Sequence, residues 1–483
     1  MFMKFAVFVV AAVLLLAAMP DYDEWQHTYG DASTQLAGAI FADDNFILMA
    51  VNTFVTMDNI DAMIIKLDKN GNVLWSKTFG GNGEDVIQKI LKCNDYYFAI
   101  GYTESYGNGE ADYWVLKFDG DGNEIWEKTY GSSNVEFASD AVGEGNSIII
   151  VGLQAAAMGS TEQDAWVIKI DCDGNLIWEK TFGGSDIDWL FCIEKDGDDF
   201  IMGGYTASFT SVAWDAWLVK IDGDGNEIWN KTYGGGDVDT IEDIVVSDEG
   251  YIAAGDTMSY GRWQDAFLMK VDKEGEQKWV KIFGGSDWDA FVAVEKEEDG
   301  YIIAGRTDSF GAGNFDAWLV KVDGGGNEIW NKTYGGRRRD VAWDVIAGSD
   351  YYYLFGETSS YGHGQSDAWL VKCGNYAPPT LQIVKPKRGY LYIFDREIFY
   401  VGTTIVIGKI SVEVEVDGNV EEVLFYVNSK DHYATEPSFV DSEPPYKFEF
   451  GGKTSLYGYE IDALAYYSNS SANVADSIIF RKI

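Results

Sequence analysis

The chain has 483 residues, with 54 Gly, only 7 Pro and an aromatic content of 15%. This length permits two to four domains, and the Gly-rich, Pro-poor composition is typical of short strands and tight turns. The formal net charge of −42 at pH 7 repels nucleic acid and anionic membrane surfaces, so we exclude nucleic-acid binding.

The N-terminal segment has the pattern of a secretory signal. Lys4 precedes an uncharged apolar run over residues 5–18, which ends in Ala17 and Ala18. This run is short for a transmembrane span and ends in small residues, as signal peptides do. We predict a signal peptide over residues 1–20 and a secreted or cell-surface protein, with an uncleaved membrane anchor as the alternative. No membrane insertion is expected beyond this segment.

The four cysteines are scattered along the chain, at Cys93, Cys172, Cys192 and Cys373. They lack any C-x-x-C spacing, which argues against a disulfide framework or a zinc site. Export would permit pairing, but the spacing does not select partners.

Two motifs recur seven times with almost constant phase. The first is W-x-[KH]-[TI]-[YF]-G, with its tryptophans at Trp25, Trp75, Trp126, Trp178, Trp229, Trp279 and Trp330. The second is D-[AY]-[MWF]-[LIV]-[MLIV]-K, which begins at Asp61, Asp112, Asp164, Asp215, Asp265, Asp316 and Asp367. The tryptophan spacings of 50 to 52 residues indicate a repeat architecture.

Each repeat contains four short apolar stretches, for example residues 239–247, 250–257, 265–272 and 276–285. They are rich in branched and aromatic residues and are separated by Gly, Asp and Asn, which is typical of strands joined by turns. Four strands repeated seven times favour an all-β, seven-bladed β-propeller over a solenoid.

The ends of the repeat array are complementary. The array begins at residues 23–30 with a lone fourth strand and stops at residues 367–373 with a third strand that lacks its fourth. Pairing these two segments would close the ring and remove two exposed sheet edges. We therefore predict that the propeller occupies residues 21–374 and that the N-terminal strand completes its last blade.

The repeated text "DAWLVKIDGDGNEIWNKTYGG" (residues 215–235), together with segments such as "GYIIAG" (residues 300–305), resembles the secreted prokaryotic β-propeller repeat proteins of the SBBP or delta type. The resemblance covers residues 23–373. It implies the propeller architecture and only weakly a role in surface recognition, because these families are functionally mixed.

A Pro-containing linker over residues 375–380 ends the repeat. Residues 381–483 then alternate apolar and polar side chains, as in "ISVEVEV" (residues 410–416), which favours a β-sandwich. This region resembles the Ig-like modules of prokaryotic surface proteins, without the Cys…Trp…Cys core of antibody domains. The resemblance implies a spacer or adhesive accessory.

The turns between third and fourth strands have acids spaced somewhat like a calcium loop. They begin at Asp68, Asp119, Asp171, Asp222, Asp272 and Asp323, each followed by Gly three residues later. A calcium loop of the EF-hand type needs Gly at its sixth position and Glu at its twelfth, where the turn from Asp222 has Tyr233. A hairpin turn explains both constant residues, because Asp bonds nearby backbone and Gly adopts positive φ.

A second set of acids stands ten residues after the repeated tryptophans: Asp85, Glu136, Asp188, Asp239, Asp289 and Asp340, with Gln35 in the seventh position. These residues begin the predicted innermost strands. Six carboxyl groups around a channel mouth would favour a bound cation, for which Ca²⁺ is the candidate. The alternative is that each acid caps the backbone of its own inter-blade loop.

Departures from the repeat collect on one predicted face. The candidate ligand-binding residues there are Trp189, Trp263, Trp288, Arg337, Arg338 and Arg339. Aromatic faces among acids and arginines suit the recognition of sugar or protein. The arginine run could instead offset neighbouring acids.

Catalysis has little support in the sequence. The three histidines fall in different contexts, and no hydrolase, phosphate-binding or dinucleotide motif is present. We therefore expect no catalytic residues and no organic cofactor, and predict an exported scaffold that binds an extracellular protein or glycan. The alternative is a secreted polysaccharide hydrolase or lyase on the same scaffold.

Overall fold

The computed structural model describes residues 24–375 apart from 211–212, 261–262 and 349–350, and the C-terminal strands given below with Ser442. The predicted signal peptide (residues 1–20) lies outside these residues, as does all but the first residue of the predicted linker. No helix among the described residues is long and apolar enough to cross a membrane.

Seven four-stranded antiparallel sheets form residues 25–374, and we number them as blades 1 to 7. Blades 1 and 2 consist of β2 (Gln35–Ala42), β3 (Ile47–Thr56), β4 (Asn59–Leu67), β5 (Val73–Phe79), β6 (Asp85–Cys93), β7 (Tyr96–Thr103), β8 (Asp112–Phe118) and β9 (Glu124–Tyr130). Blades 3 and 4 consist of β10 (Val135–Glu144), β11 (Ser147–Ala155), β12 (Gln163–Asp171), β13 (Leu176–Phe182), β14 (Asp188–Asp196), β15 (Asp199–Thr206), β16 (Asp215–Ile221) and β17 (Glu227–Tyr233). Blades 5 and 6 consist of β18 (Asp239–Ser247), β19 (Gly250–Thr257), β20 (Asp265–Asp272), β21 (Gln277–Phe283), β22 (Asp289–Lys296), β23 (Gly300–Thr307), β24 (Asp316–Asp323) and β25 (Glu328–Tyr334).

The seventh blade joins the two ends of the array. It is built from β26 (Asp340–Ala347), β27 (Tyr351–Thr358), β28 (Asp367–Gly374) and the N-terminal β1 (Trp25–Tyr29). β1 pairs antiparallel with β28, from Trp25 opposite Lys372 to Tyr29 opposite Ala368. The predicted seven-bladed propeller and its closure by the N-terminal strand are thereby confirmed.

The hydrophobic core is divided among the interfaces between blades. Seven clusters of buried apolar side chains each draw on two adjacent blades, including blade 7 with blade 1. The second strand of each sheet is buried on both faces, as in Gly250–Thr257. The fourth strands are only half-buried. Burial between blades supplies the main apolar driving force for the ring.

The repeated tryptophan and the repeated glycine of the turns contact each other across blades. The ring of Trp178 lies so close to Gly225 of the following blade that an added Cβ there would be 3.0 Å from it. Gly225 also has a φ of +77°. The turn itself is closed by Asp222, whose carboxylate accepts the backbone N–H groups of Asp224 and Asn226. The acids of these turns therefore shape the backbone, as the sequence predicted.

Gly225→Ala should lower the free energy of unfolding by about 1–3 kcal/mol, because alanine meets both the Trp178 ring and an unfavourable φ. Gly236→Ala is the matched control, since an added Cβ there has no heavy atom within 4 Å. Chemical denaturation of both variants measures the difference. Equal stability of the two would contradict a structural role for this contact.

A disulfide joins Cys93 at the end of β6 to Cys172 just after β12, and thus connects blades 2 and 3. Cys192 and Cys373 are buried free thiols. The paired cysteines are 79 residues apart and meet only through the packing of adjacent blades. Their spacing therefore could not identify the pair.

The C-terminal strands form two further sheets of three and seven strands among the described residues. They are β29 (Leu381–Lys385), β30 (Tyr390–Ile393), β31 (Arg396–Tyr400), β32 (Ile405–Ile407), β33 (Ile410–Val416), β34 (Val420–Ser429), β35 (Phe439–Asp441), β36 (Tyr446–Phe450), β37 (Ser455–Tyr467) and β38 (Val474–Lys482). The all-β class predicted for this region agrees with these strands, and the Ig-like sandwich stays a prediction.

Two faces of the propeller are named below. The loop face carries the connections between blades and those between second and third strands. The turn face carries the hairpins between first and second strands and the turns that begin at residues such as Asp222.

Candidate functional site

The six acids predicted as a cation ring are buried, each within its own blade. Asp239 is 1% exposed and accepts a hydrogen bond from the Thr257 hydroxyl. Its other oxygen accepts the Ser259 hydroxyl at 2.7 Å and the Gly235 backbone N–H at 2.9 Å. These contacts fasten the first strand, the second strand and the inter-blade loop to one another.

The same arrangement recurs around the ring. Asp85, Asp188, Asp289 and Asp340 accept hydrogen bonds from an equivalent threonine, serine and glycine N–H. Glu136 instead accepts the hydroxyl and the N–H of Ser132. Among the described residues, no three carboxylate, imidazole or thiol side chains are grouped to hold a metal ion. The geometry therefore matches the capping alternative.

A different charged cluster, which the sequence did not reveal, lies four residues further along the innermost strands. Lys89 Nζ is 2.9 Å from Asp140 Oδ1 of the next blade. The charges of Asp243 and Asp344, on blades 5 and 7, also act on Lys89. The equivalent position of the innermost strand therefore supplies one ammonium from blade 2 and three carboxylates from blades 3, 5 and 7. These groups act on one another across the centre of the ring.

The electrostatics of this central cluster favour protonated acids. Burial raises the pKa of Asp344 to about 6, although the Lys89 charge opposes the shift. Burial, with the charges of Asp344 and Glu194, raises the pKa of Glu295 to about 7. Burial alone would lower the pKa of Lys89, but the surrounding carboxylates raise it above its ordinary value. The ammonium thus partly compensates an excess of acids.

Exposed tryptophan is confined to three adjacent blades of the loop face. All 17 tryptophans fall among the described residues, and just three are largely exposed: Trp214 (40%), Trp263 (54%) and Trp288 (46%). They belong to the loops of blades 4, 5 and 6 or to the entry into them. The backbone N–H of Asp289, beside Trp288, donates to the carbonyl of Gln264, beside Trp263, at 2.9 Å. The latter two tryptophans therefore lie on neighbouring loops.

Trp189, one of the predicted ligand-binding residues, packs behind the exposed surface. It is half-buried, and its Nε1 donates to the Ser139 hydroxyl at 2.9 Å. Its ring packs on Phe191 and Tyr205, with centroid distances of 5.0 and 6.5 Å. Tyr205 in turn stacks on the exposed Trp214 at 4.9 Å. Trp214, not Trp189, is therefore the ring that presents a face to solvent.

A polar network lies on blade 5 and is acted on by the Arg306 charge of blade 6. The Thr240 hydroxyl is 2.9 Å from Asp256 Oδ1 and 3.3 Å from Glu242 Oε1. The side-chain amide of Gln264 donates to Asp256 Oδ2 at 2.6 Å. Burial and mutual repulsion raise the pKa of Glu242, while the Arg306 charge lowers it. This is a pair of carboxyl groups linked through a hydroxyl and partly neutralised by an arginine.

Arg306 connects this network to blade 7. Its guanidinium lies 5.9 Å from the Phe315 ring and 5.5 Å from the Trp343 ring. Phe315 has a φ of +43°, which is a strained conformation for a bulky residue. Its N–H donates to Asp308 Oδ1, and its carbonyl accepts the N–H of Asp340. Such strain often occurs at binding sites, where the surrounding structure enforces it.

The arginine run has divided roles. Arg339 pairs with the buried Glu357. Arg338 is exposed, and its backbone N–H donates to the Ser360 hydroxyl at 3.0 Å. Arg337 is exposed beside it. The offsetting of a neighbouring acid therefore accounts for Arg339.

We call the set from Trp214 to Arg339 the variable arc, because its members differ from their repeat equivalents. It comprises Trp214, Glu242, Asp256, Trp263, Trp288, Arg306, Phe315, Arg337, Arg338 and Arg339. Separately, a cleft of about 680 Å³ on blades 2 and 3 is lined by Glu104, Tyr106, Glu110 and Met158 with nearby glycines. The arc combines aromatic surface with both signs of charge, which suits recognition of a polar ligand.

No protein-family model and no curated protein matches the chain. Solved structures similar to it include the following three. The phage phi92 endosialidase is 11% identical with a TM-score of 0.44, covering 95% of this chain and 87% of that one. The N10 neuraminidase-like protein of A/little yellow-shouldered bat/Guatemala/060/2010 is 8% identical with a TM-score of 0.37, covering 62% and 96%. The β-propeller domain of the Trilobed protease from Pyrococcus furiosus is 9% identical with a TM-score of 0.41, covering 71% and 94%.

Proposed function

We propose that this protein is an exported binding scaffold that holds an extracellular glycan on the variable arc. The observation that carries the proposal is the restriction of exposed tryptophan to blades 4, 5 and 6, where Trp214, Trp263 and Trp288 lie. Indole faces stack on the apolar faces of sugar rings, while nearby carboxylates and amides bond their hydroxyls. Asp256 and Gln264 are such groups, already ordered by each other.

Two features support export. Residues 1–20 have the composition of a signal peptide. The chain also contains the Cys93–Cys172 disulfide, and disulfides form and persist mainly in oxidising compartments. Both point to a secreted or cell-surface protein whose partner is extracellular.

The test is binding of the purified full chain to a glycan array and to immobilised proteins of the cell surface. Combined replacement of Trp214, Trp263 and Trp288 by alanine should weaken glycan binding by at least about tenfold, a loss of roughly 1.4 kcal/mol. Tyr106→Ala is the matched control, because Tyr106 is a partly exposed aromatic residue on the same face of blade 2. Binding that survives the triple change, or that occurs only with proteins, would contradict the proposal.

One observation favours a second function, that of a polysaccharide hydrolase or lyase. Glu242 and Asp256 form a carboxyl pair around the Thr240 hydroxyl, and paired carboxyl groups serve glycoside cleavage. Incubation of the full chain with each glycan it binds, followed by assay of new reducing ends and unsaturated products, separates the two. Product formation that Glu242→Gln abolishes would establish catalysis, and retention without product supports binding alone.

A further inference from the structure

Arginine is distributed very unevenly over the propeller. Blades 1 to 4 contain none, and residues 24–375 contain five, all in blades 5 to 7: Arg262, Arg306, Arg337, Arg338 and Arg339. Arg262 lies outside the described residues. The other four belong to the variable arc, on the loop face of a chain whose net charge is −42. Guanidinium groups are thus concentrated in one part of an acidic protein, where Arg306 acts on Glu242 and Arg339 pairs with Glu357.

Lysine, by contrast, serves the ring itself. Lys169 Nζ donates to the Gly223 carbonyl of the next blade at 3.0 Å and pairs with Glu144. Lys321 pairs with Glu297 at 3.1 Å. These lysines neutralise the turn face and bind backbone between blades. The arginines are therefore not part of the repeated charge balance.

Arg338 shows most directly that the local fold does not require a cation. In blades 4, 5 and 6 the same backbone position is occupied by Asp186, Asp237 and Asp287, whose N–H groups donate to the hydroxyls of Ser208, Ser259 and Ser309. Arg338 keeps this bond, to Ser360, at 3.0 Å. Blade 7 thus reverses the charge of one side chain while it conserves the backbone contact.

The chemistry of arginine identifies the ligand class. A guanidinium binds a carboxylate or sulfate through two parallel hydrogen bonds, which a lysine cannot do. Arg306 is held over two aromatic rings, and the exposed Trp288 is near, since its carbonyl accepts the N–H of Asp308. We infer that the variable arc takes an anionic polysaccharide, whose carboxylate or sulfate groups contact Arg338 and its neighbours while its sugar rings contact the tryptophans. This inference rests on the proposed glycan-binding function.

The test compares polymers that differ in charge alone. Polygalacturonate and its full methyl ester form the carboxylate pair, and dextran sulfate and dextran form the sulfate pair. The full chain should bind the charged member of at least one pair about tenfold or more tightly, and this preference should fall as NaCl is raised, because salt screens exposed charges. The pair that shows the preference identifies the anionic group.

Arg338→Asp is the decisive variant, because it restores the residue of three other blades and should fold normally. It should reduce the preference for the charged polymer by about tenfold while the thermal midpoint stays unchanged. Lys296→Glu, an equal change of charge on the turn face beside Asp248, should leave the preference intact.

Three results would overturn the inference. They are equal binding of charged and uncharged members, an unchanged preference in Arg338→Asp, or an equal loss in Lys296→Glu. If charged and uncharged polymers bind equally and the triple tryptophan variant abolishes this binding, the inference fails but the proposed function stands. If the full chain binds none of the four polymers and no glycan of the array, both the inference and the proposed function are overturned.

Discussion

Replacing Asp239 with alanine should lower the free energy of unfolding by about 3–4 kcal/mol, one of the largest effects expected in the propeller. The carboxylate is buried and accepts hydrogen bonds from Thr257, Ser259 and Gly235. Its removal leaves these donors without their acceptor, and each unsatisfied buried group costs about 1–3 kcal/mol. Urea unfolding of the full chain, followed by tryptophan fluorescence, measures the change.

Asp237→Ala is the control for this experiment, because Asp237 is exposed and should change stability by no more than about 0.5 kcal/mol. The same unfolding curves with added CaCl₂ or EDTA address the cation hypothesis. A capping role predicts that neither addition shifts the midpoint of the wild type. A large stabilisation by Ca²⁺ that Asp239→Ala removes would contradict capping and restore the metal ring.

Lys89→Met should destabilise the propeller by about 1–2 kcal/mol near neutral pH, because Asp140 loses its ion partner while the 40% exposure of the Lys89 side chain lets solvent screen the remaining charges. Lys89 is the ammonium that acts on Asp140, Asp243 and Asp344. Thermal unfolding at several pH values measures the loss. Lys92→Met, on the same strand but exposed, is the matched control and should be nearly neutral.

The raised pKa values of the central cluster determine the direction in which stability changes with pH. The pKa values of Asp344 and Glu295 are raised to about 6 and about 7 in the folded protein. Between roughly pH 4 and 7 the folded state therefore holds more protons than the unfolded state, so stability falls as pH rises through this window. The wild type should melt at a higher temperature at pH 5 than at pH 8. Lys89→Met should steepen the fall, and a variant whose loss is independent of pH would contradict the central cluster.

The architecture could be predicted because it is written in the spacing of the sequence. The repeated tryptophan and the two incomplete ends of the array predict seven blades and the pairing of β1 with β28, and the structure has both. The role of the tryptophans follows from the same period, because six of the seven pack on the turn glycine of the next blade, as Trp178 does on Gly225. Residues that repeat in phase thus identify contacts that recur from blade to blade.

The function of the repeated acids was harder to infer, although a signal was present. Each buried aspartate has its partners 18 and 20 residues later, in a recurring Thr-x-Ser segment such as Thr257 and Ser259. Taken together, the two segments indicate capping, the alternative that the sequence already offered beside a cation ring. Each innermost strand begins at the loop face. Its first residue is therefore within reach of hydroxyls at the end of the second strand and in the loop that follows.

The central cluster and the polar part of the variable arc left no periodic trace. Lys89 and Asp140 are equivalent positions with opposite charge, and Glu242 and Trp343 are equivalent positions with unrelated chemistry. Their proximity depends on ring closure and on the β-bulges of the innermost strands, which set the register. Such sites are recognised only once the blades are placed in a circle.

Hydrogen–deuterium exchange of the full chain, with and without a bound glycan, tests most directly the central claim that the variable arc is the binding surface. The proposal predicts that protection on binding is confined to loop-face segments of blades 4 to 7, namely residues 213–215, 256–260, 263–264, 286–289, 306–315 and 336–340. The equivalent loop of blade 2, residues 104–110, should exchange at the same rate in both states. Protection spread evenly over seven blades, or confined to the cleft on blades 2 and 3 that Tyr106 lines, would contradict the claim.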